Sequence, residues 1–128
     1  MQKIKKYFFL LLLITPLFAF DLIDDISKSI RNGDAHQLST FFGNSIDLTI
    51  VDKENIYSKA QAELILKDFF SKNPPKSFNI LHKGSSPEGT HYVIGHLISV
   101  SGKTFRTSYH FKINDGKIIL LELRLEPK

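Results

Sequence analysis

An α+β fold is predicted for this chain, with helices first and an antiparallel sheet last. Three observations predict it. Apolar residues recur at helical spacing in the first half. Four alternating runs fill the second half. Asp115-Gly116, a strong hairpin turn, separates the last two of those runs. The expected order is α-α-β-β-α-β-β-β-β, with the helices against one face of the sheet.

The first helix is expected over Leu22 to Arg31. Ile23, Ile26 and Ile30 share one face, and Asn32-Gly33 stops it. Asp34 then caps a second helix, with Gln37 three residues on as in a capping box. Leu38, Phe41 and Phe42 supply its apolar side, and Gly43 ends it. Ile46, Leu48 and Ile50 alternate with Asp47 and Thr49, the period of a strand. A turn at Asp52 to Asn55 and a short return strand at Ile56-Tyr57 follow. Ser58 and Gln61 form a second capping box. The helix they open presents Ala62, Ile65, Leu66 and Phe69 on one face, widened by Phe70. Asn73-Pro74-Pro75 terminates it, because proline has no N–H and clashes with the preceding turn.

Four strands are expected next: Ser77–Gly84, Thr90–Ser101, Lys103–Asn114 and Lys117–Glu126. Their short links imply a meander. Alternation sorts each strand into two faces. The face assigned to the core holds Phe78, Ile80 and His82, then Tyr92, Ile94, His96, Ile98 and Val100. Phe105, Thr107, Tyr109, Phe111 and Ile113 follow, then Ile119, Leu121, Leu123 and Leu125. Its polar members, His82, Tyr92, His96, Thr107 and Tyr109, are the candidate ligand-binding cleft, because binding clefts are mostly apolar with a few convergent polar groups. On the opposite face Leu81, Leu97, Ile118 and Leu120 are the candidate interface patch.

The start of the chain has its own pattern. Lys3, Lys5 and Lys6 precede an unbroken apolar run from Tyr7 to Ile14, broken by Pro16, with Ala19 as a small residue for cleavage. This is the layout of a secretory signal peptide. Leu17 stands where a small residue is usual. Extended to Phe20, the run is about 14 residues, short of the ~20 that span a bilayer. Residues 1–19 are therefore expected to be a leader removed near Ala19, and 20–128 a single exported domain, periplasmic and without stable membrane insertion.

Three of the 17 basic residues lie in that leader, so the domain stands close to charge balance against 13 acidic residues. Such balance gives no footprint for nucleic acid. The chain has no cysteine, so disulfides, thiol chemistry and a lipid-bearing cysteine are excluded. His91 and His96 are five apart and fall on opposite faces of a strand, and no helical pair of histidines occurs. No metal ligand set is assigned. There is no Gly-x-Ser-x-Gly turn and no phosphate-cradling glycine loop. No catalytic residue and no cofactor is assigned.

Several stretches resemble a known family. Tyr57-Ser58-Lys59-Ala60-Gln61-Ala62-Glu63 and Leu66-Lys67-Asp68-Phe69-Phe70 are similar to the central helix of a bacterial family catalogued as domain of unknown function 4783. His82-Lys83-Gly84-Ser85-Ser86, Tyr92-Val93-Ile94-Gly95, Phe105-Arg106 and Leu121-Glu122-Leu123-Arg124-Leu125-Glu126 continue the resemblance. That family resembles the nuclear transport factor 2-like superfamily, which includes ketosteroid-isomerase-like and SnoaL-like domains. The resemblance implies a cone, a curved sheet with helices on its concave face, and an exported setting. It implies no activity. Catalytic members of the superfamily carry an inward-facing Asp/His or Tyr/Asp set, and no strand acid is expected to face inward here.

Three functional readings follow. The first is a non-catalytic module that binds a small apolar molecule or a peptide in the cleft, with His82 and His96 as polar anchors. The second is a homodimeric interaction module using the outer sheet face. The third is an isomerase or lyase with a histidine base.

Overall fold

The structure is a computed structural model and describes residues 17–128, with side chains from Leu22 onward. Of the leader expected over residues 1–19, residues 1–16 and the side chains of 17–19 lie outside the described residues. The elements are α1 (Leu17–Arg31), α2 (Ala35–Ser39), β1 (Phe42–Ile50), β2 (Lys53–Ser58), α3 (Lys59–Lys72), β3 (Pro75–Ser85), β4 (Thr90–Ser99), β5 (Thr104–Asn114) and β6 (Lys117–Pro127). The predicted order holds throughout.

Local chemistry explains the helix ends. The Asp34 side chain accepts from the Gln37 N–H, and Ser58 Oγ accepts from the Gln61 N–H, so each caps its helix. Gly33 turns α1 into α2 with φ of 63°, a left-handed conformation. A Cβ there would lie 2.9 Å from Pro75 Cδ, so Gly33 also lets β3 approach.

The six strands form one curved sheet in the order β2-β1-β6-β5-β4-β3. Neighbours pair antiparallel except β1 and β6, which are parallel. That parallel seam joins the β1–β2 hairpin to the expected four-strand meander. Leu48 aligns with Leu123 and Ile50 with Leu125 across it.

The helices cover the concave face. Ile26 and Ile30 of α1, Leu38 of α2, and Ala62, Leu66, Phe69 and Phe70 of α3 pack with strand residues in one core. Phe69 meets Phe105 edge-on at 5.0 Å between ring centres.

Three strands differ from the expected facing. On β5, Phe105, Thr107, Tyr109 and Phe111 point inward as expected, while Ile113 is 36% exposed. Their partners on β4 are Leu97, Gly95, Val93 and His91. Paired residues share a face, so Val93, Gly95, Leu97 and Ser99 line the interior. Tyr92, Ile94, His96 and Ile98 point out, and Val100 lies exposed beyond the strand. Apolar residues occupy both phases of β4, so alternation alone could not choose between them.

On β6, a bulge changes the phase. Leu120 pairs with Phe111 and Glu122 with His110, leaving Leu121 as the extra residue. Ile118 and Leu120 are buried before it, Leu123 and Leu125 after it. Ile119 and Leu121, expected inside, are only half-buried. On β3, Ile80 pairs with Gly95 but His82 pairs with Ile94, so Leu81 is the extra residue. The bulge sends His82 to the outer face.

Candidate functional site

The residues expected to form one cleft are divided between the two sides of the sheet. Thr107 and Tyr109 are fully buried on the concave side. His82 and Tyr92 are on the convex side, where a ring nitrogen of His82 (Nε2) lies 3.0 Å from the Tyr92 hydroxyl. His96 is also on that side, in register with Asn79 and Arg106. The five do not converge.

The core of the cone is packed rather than open at Tyr109. Its ring is 0% exposed, and its hydroxyl lies 3.0 Å from Ser27 Oγ and 3.4 Å from the Ile23 carbonyl, both on α1. Burial pushes the Tyr109 phenol up to about 12, opposed by the Ser27 hydrogen bond and aided by the negative charge of Asp24. The group is a neutral strut between sheet and helix. Thr107 Oγ1 donates to the Phe105 carbonyl on its own strand.

The candidate interface patch is also rearranged. Leu97 and Leu120 are 0% exposed and Ile118 is buried, all within the core. Leu81 alone stands in solvent, 59% exposed on the β3 bulge. The phase of β4 and the bulge of β6 account for this correction.

A cleft does open at one end of the cone. Its volume is about 630 Å³. Val51 from the β1–β2 turn, Asn73 at the end of α3, Lys103 just before β5, Phe105 at its start, and Pro127 and Lys128 are among its walls. The sequence reading missed these residues because they come from turns and strand ends, which only the closure of the cone brings together. Asn73 is held in place by its side-chain amide, which donates to the Phe69 carbonyl. A second depression of about 420 Å³ lies beside α2. There Glu63 accepts from Ser39 Oγ at 2.9 Å and contacts His36 Nδ1 at 3.2 Å. The Ser39 hydrogen bond and then His36 hold the Glu63 carboxyl below its usual range. The single Ser39 hydroxyl proton is shared with the His36 carbonyl at 2.7 Å, and the contacts to Glu63 tie α2 to α3.

A polar row crosses the convex face. It runs from His82 and Tyr92 to His110, whose Nδ1 lies 3.0 Å from Glu122 Oε1, and on to Asp47 and Glu54. These side chains come from all six strands. The parallel seam brings Asp47 beside Glu122.

The profile of the family described as Domain of unknown function (DUF4783) matches residues 23–126. The chain belongs to the DUF4783 family. A DUF4783 family protein from Bacteroides uniformis is 26% identical, with a TM-score of 0.75 over 82% of this chain and 95% of that one. One from Bacteroides ovatus is 23% identical, with a TM-score of 0.74 over 81% and 93%. An ntf2-like protein of unknown function from Shewanella baltica shares the fold at 11% identity, with a TM-score of 0.65 over 91% and 95%. No curated protein matches the chain. The DUF4783 domain thus shares the nuclear transport factor 2-like fold, and the family is described as one of unknown function.

Proposed function

We propose that this DUF4783 domain is an exported, non-catalytic binding module. Its ligand is a small, largely apolar molecule with an acidic group, held in the cleft at the mouth of the cone. The observation that carries this reading is the cleft itself. About 630 Å³ falls within the ~300–1,000 Å³ range of small-molecule sites. Phe105, Val51 and Pro127 offer apolar contact, and Lys103 adds a cation at the rim. A carboxylate or sulfonate at that end of the ligand meets the Lys103 ammonium, and the apolar body meets the Phe105 side.

The non-catalytic part rests on Tyr109. Its hydroxyl is engaged with α1 and stays neutral at physiological pH, so it neither accepts a proton nor meets the cleft. His82 pairs with Tyr92 on the convex face, away from the helices. The export part rests on the charged-then-apolar start of the chain.

The test is a fluorescence titration with 1-anilinonaphthalene-8-sulfonate, an apolar body bearing one anion, together with native mass spectrometry of protein taken gently from its own source. A saturable signal is expected, weakened about tenfold in Lys103→Glu, the equivalent of about 1.4 kcal/mol. Equal binding by both proteins, or protein that carries no removable adduct, would refute the reading.

A further inference from the structure

We propose that the convex face of the sheet carries a calcium-class cation site built by Asp47, Glu54 and Glu122, with the Thr49 hydroxyl beside them. This site is separate from the cleft and does not depend on it.

The three carboxylates come from β1, β2 and β6. An oxygen from each lies within 4.8 Å of the others. Oxygens around a calcium ion sit at about 2.4 Å from it, so opposite ligands are about 4.8 Å apart. The cluster therefore has the span of one coordination shell. The sheet sets this spacing. Asp47 is directly beside Glu122 across the parallel seam, and Glu54 is directly opposite Thr49, the next outward residue on β1.

A second observation points to a ligand. Thr49 is only 4% exposed, and its Oγ1 has no hydrogen-bond partner. Ile46 and Leu48 of β1 face the core, so Thr49 shares the outward face with Asp47. Thr49 lies two residues along the strand from Asp47, directly opposite Glu54 on β2 and directly beside Arg124 on β6. One oxygen of Asp47, Oδ1, is likewise buried without a partner. Buried polar atoms are nearly always satisfied. Two orphan oxygens at the rim of three converging carboxylates fit a cation that would receive their lone pairs.

The neighbouring groups are consistent with this. His110 Nδ1 contacts Glu122 Oε1 at 3.0 Å, which orients that carboxylate and leaves its other oxygen free to ligate. Arg124 pairs with Thr49 across the parallel seam, and its Nε donates to Glu126 Oε1 at 2.6 Å. Arg124 feels Glu122 and Glu54 electrostatically, but its hydrogen bond is made to Glu126. It lowers the charge of the corner without satisfying the Asp47 and Thr49 oxygens.

The donor set is all oxygen, which selects hard cations. Calcium tolerates irregular ligation by six to eight oxygens, whereas magnesium demands near-octahedral geometry and retains its water. Carboxylates fixed on three strands, partly open to water, suit calcium.

The test titrates the isotope-labelled protein with calcium chloride, and separately with magnesium chloride, following amide resonances and thermal unfolding. Calcium is expected to bind with Kd on the order of 10⁻⁴ to 10⁻³ M, as in open sites. The shifts should centre on Asp47, Thr49, Glu54, His110 and Glu122, and calcium should raise Tm. Glu54→Gln is exposed and folds without the ion, so its calcium affinity should fall about tenfold while its metal-free Tm holds or rises. Thr49→Val keeps the side-chain shape and should also bind more weakly. Shifts spread evenly over surface carboxylates, unchanged affinity in Glu54→Gln, or magnesium binding as tightly as calcium would each overturn the proposal.

Discussion

Tyr109→Phe tests the strut that closes the core of the cone. The substitution keeps the fully buried ring and deletes only the hydroxyl. That hydroxyl has a 3.0 Å contact with Ser27 Oγ and a longer one, 3.4 Å, with the Ile23 carbonyl. A net hydrogen bond of this kind contributes about 1 kcal/mol. Ser27, itself buried, loses its partner but can turn to the carbonyl one helical turn back, which limits the cost. The expected loss is about 1–1.5 kcal/mol, or roughly 5 °C in Tm for a domain of this size. The same substitution changes the alkaline limb. The folded phenol sits at about 12 against an ordinary 10.0. Folding therefore disfavours the phenolate. The stability linked to Tyr109 is complete below pH 10 and declines as pH rises toward 12. At one pH unit above the ordinary value the decline is about 1.4 kcal/mol. The assay is thermal unfolding by circular dichroism at neutral pH and near pH 11, for both proteins. The gap between them should narrow at the higher pH, because the variant has no phenol there to ionise. An unchanged neutral Tm, or a gap that does not narrow, would refute the strut.

Two further predictions concern packing and acid stability. Gly95→Ala should cost at least about 2 kcal/mol by chemical denaturation, because the added Cβ would lie 2.5 Å from the Asn79 carbonyl oxygen and 2.9 Å from the Phe78 ring. A variant as stable as the parent would mean that β3 is free to move off β4. Glu63 has a carboxyl held below its ordinary value of 4.5 by Ser39 and His36. Its contribution is present above that value and lost as pH falls through the lowered one. Unfolding measured as pH drops below about 4.5 should therefore weaken the parent more than Glu63→Gln, and a carboxyl resonance titrating at or above 4.5 would contradict this.

The sequence by itself determined the elements and their order. Capping at Asp34 and Ser58, the Asn-Gly stop before α2, the two prolines after α3 and the Asp-Gly hairpin are local chemistry, and local chemistry is legible one residue at a time. The inward face of β5 was legible too, because its outward residues Arg106, Ser108, His110 and Lys112 are all polar. The facing of β4 was not. Val93 and Leu97 compete with Ile94 and Ile98, and only pairing with β5 selects the first two. The bulges at Leu81 and Leu121 add one residue to one strand, so everything beyond them changes sides. That single physical fact moved His82 out of the expected cleft and Ile118 and Leu120 into the core. The parallel seam between β1 and β6 belongs to the same category, since residues some 75 positions apart meet there. The cleft at the cone mouth and the Asp47, Glu54 and Glu122 cluster both depend on contacts of that range. Sequence periodicity reports which face a side chain takes within one strand, and tertiary structure alone decides which strands lie side by side.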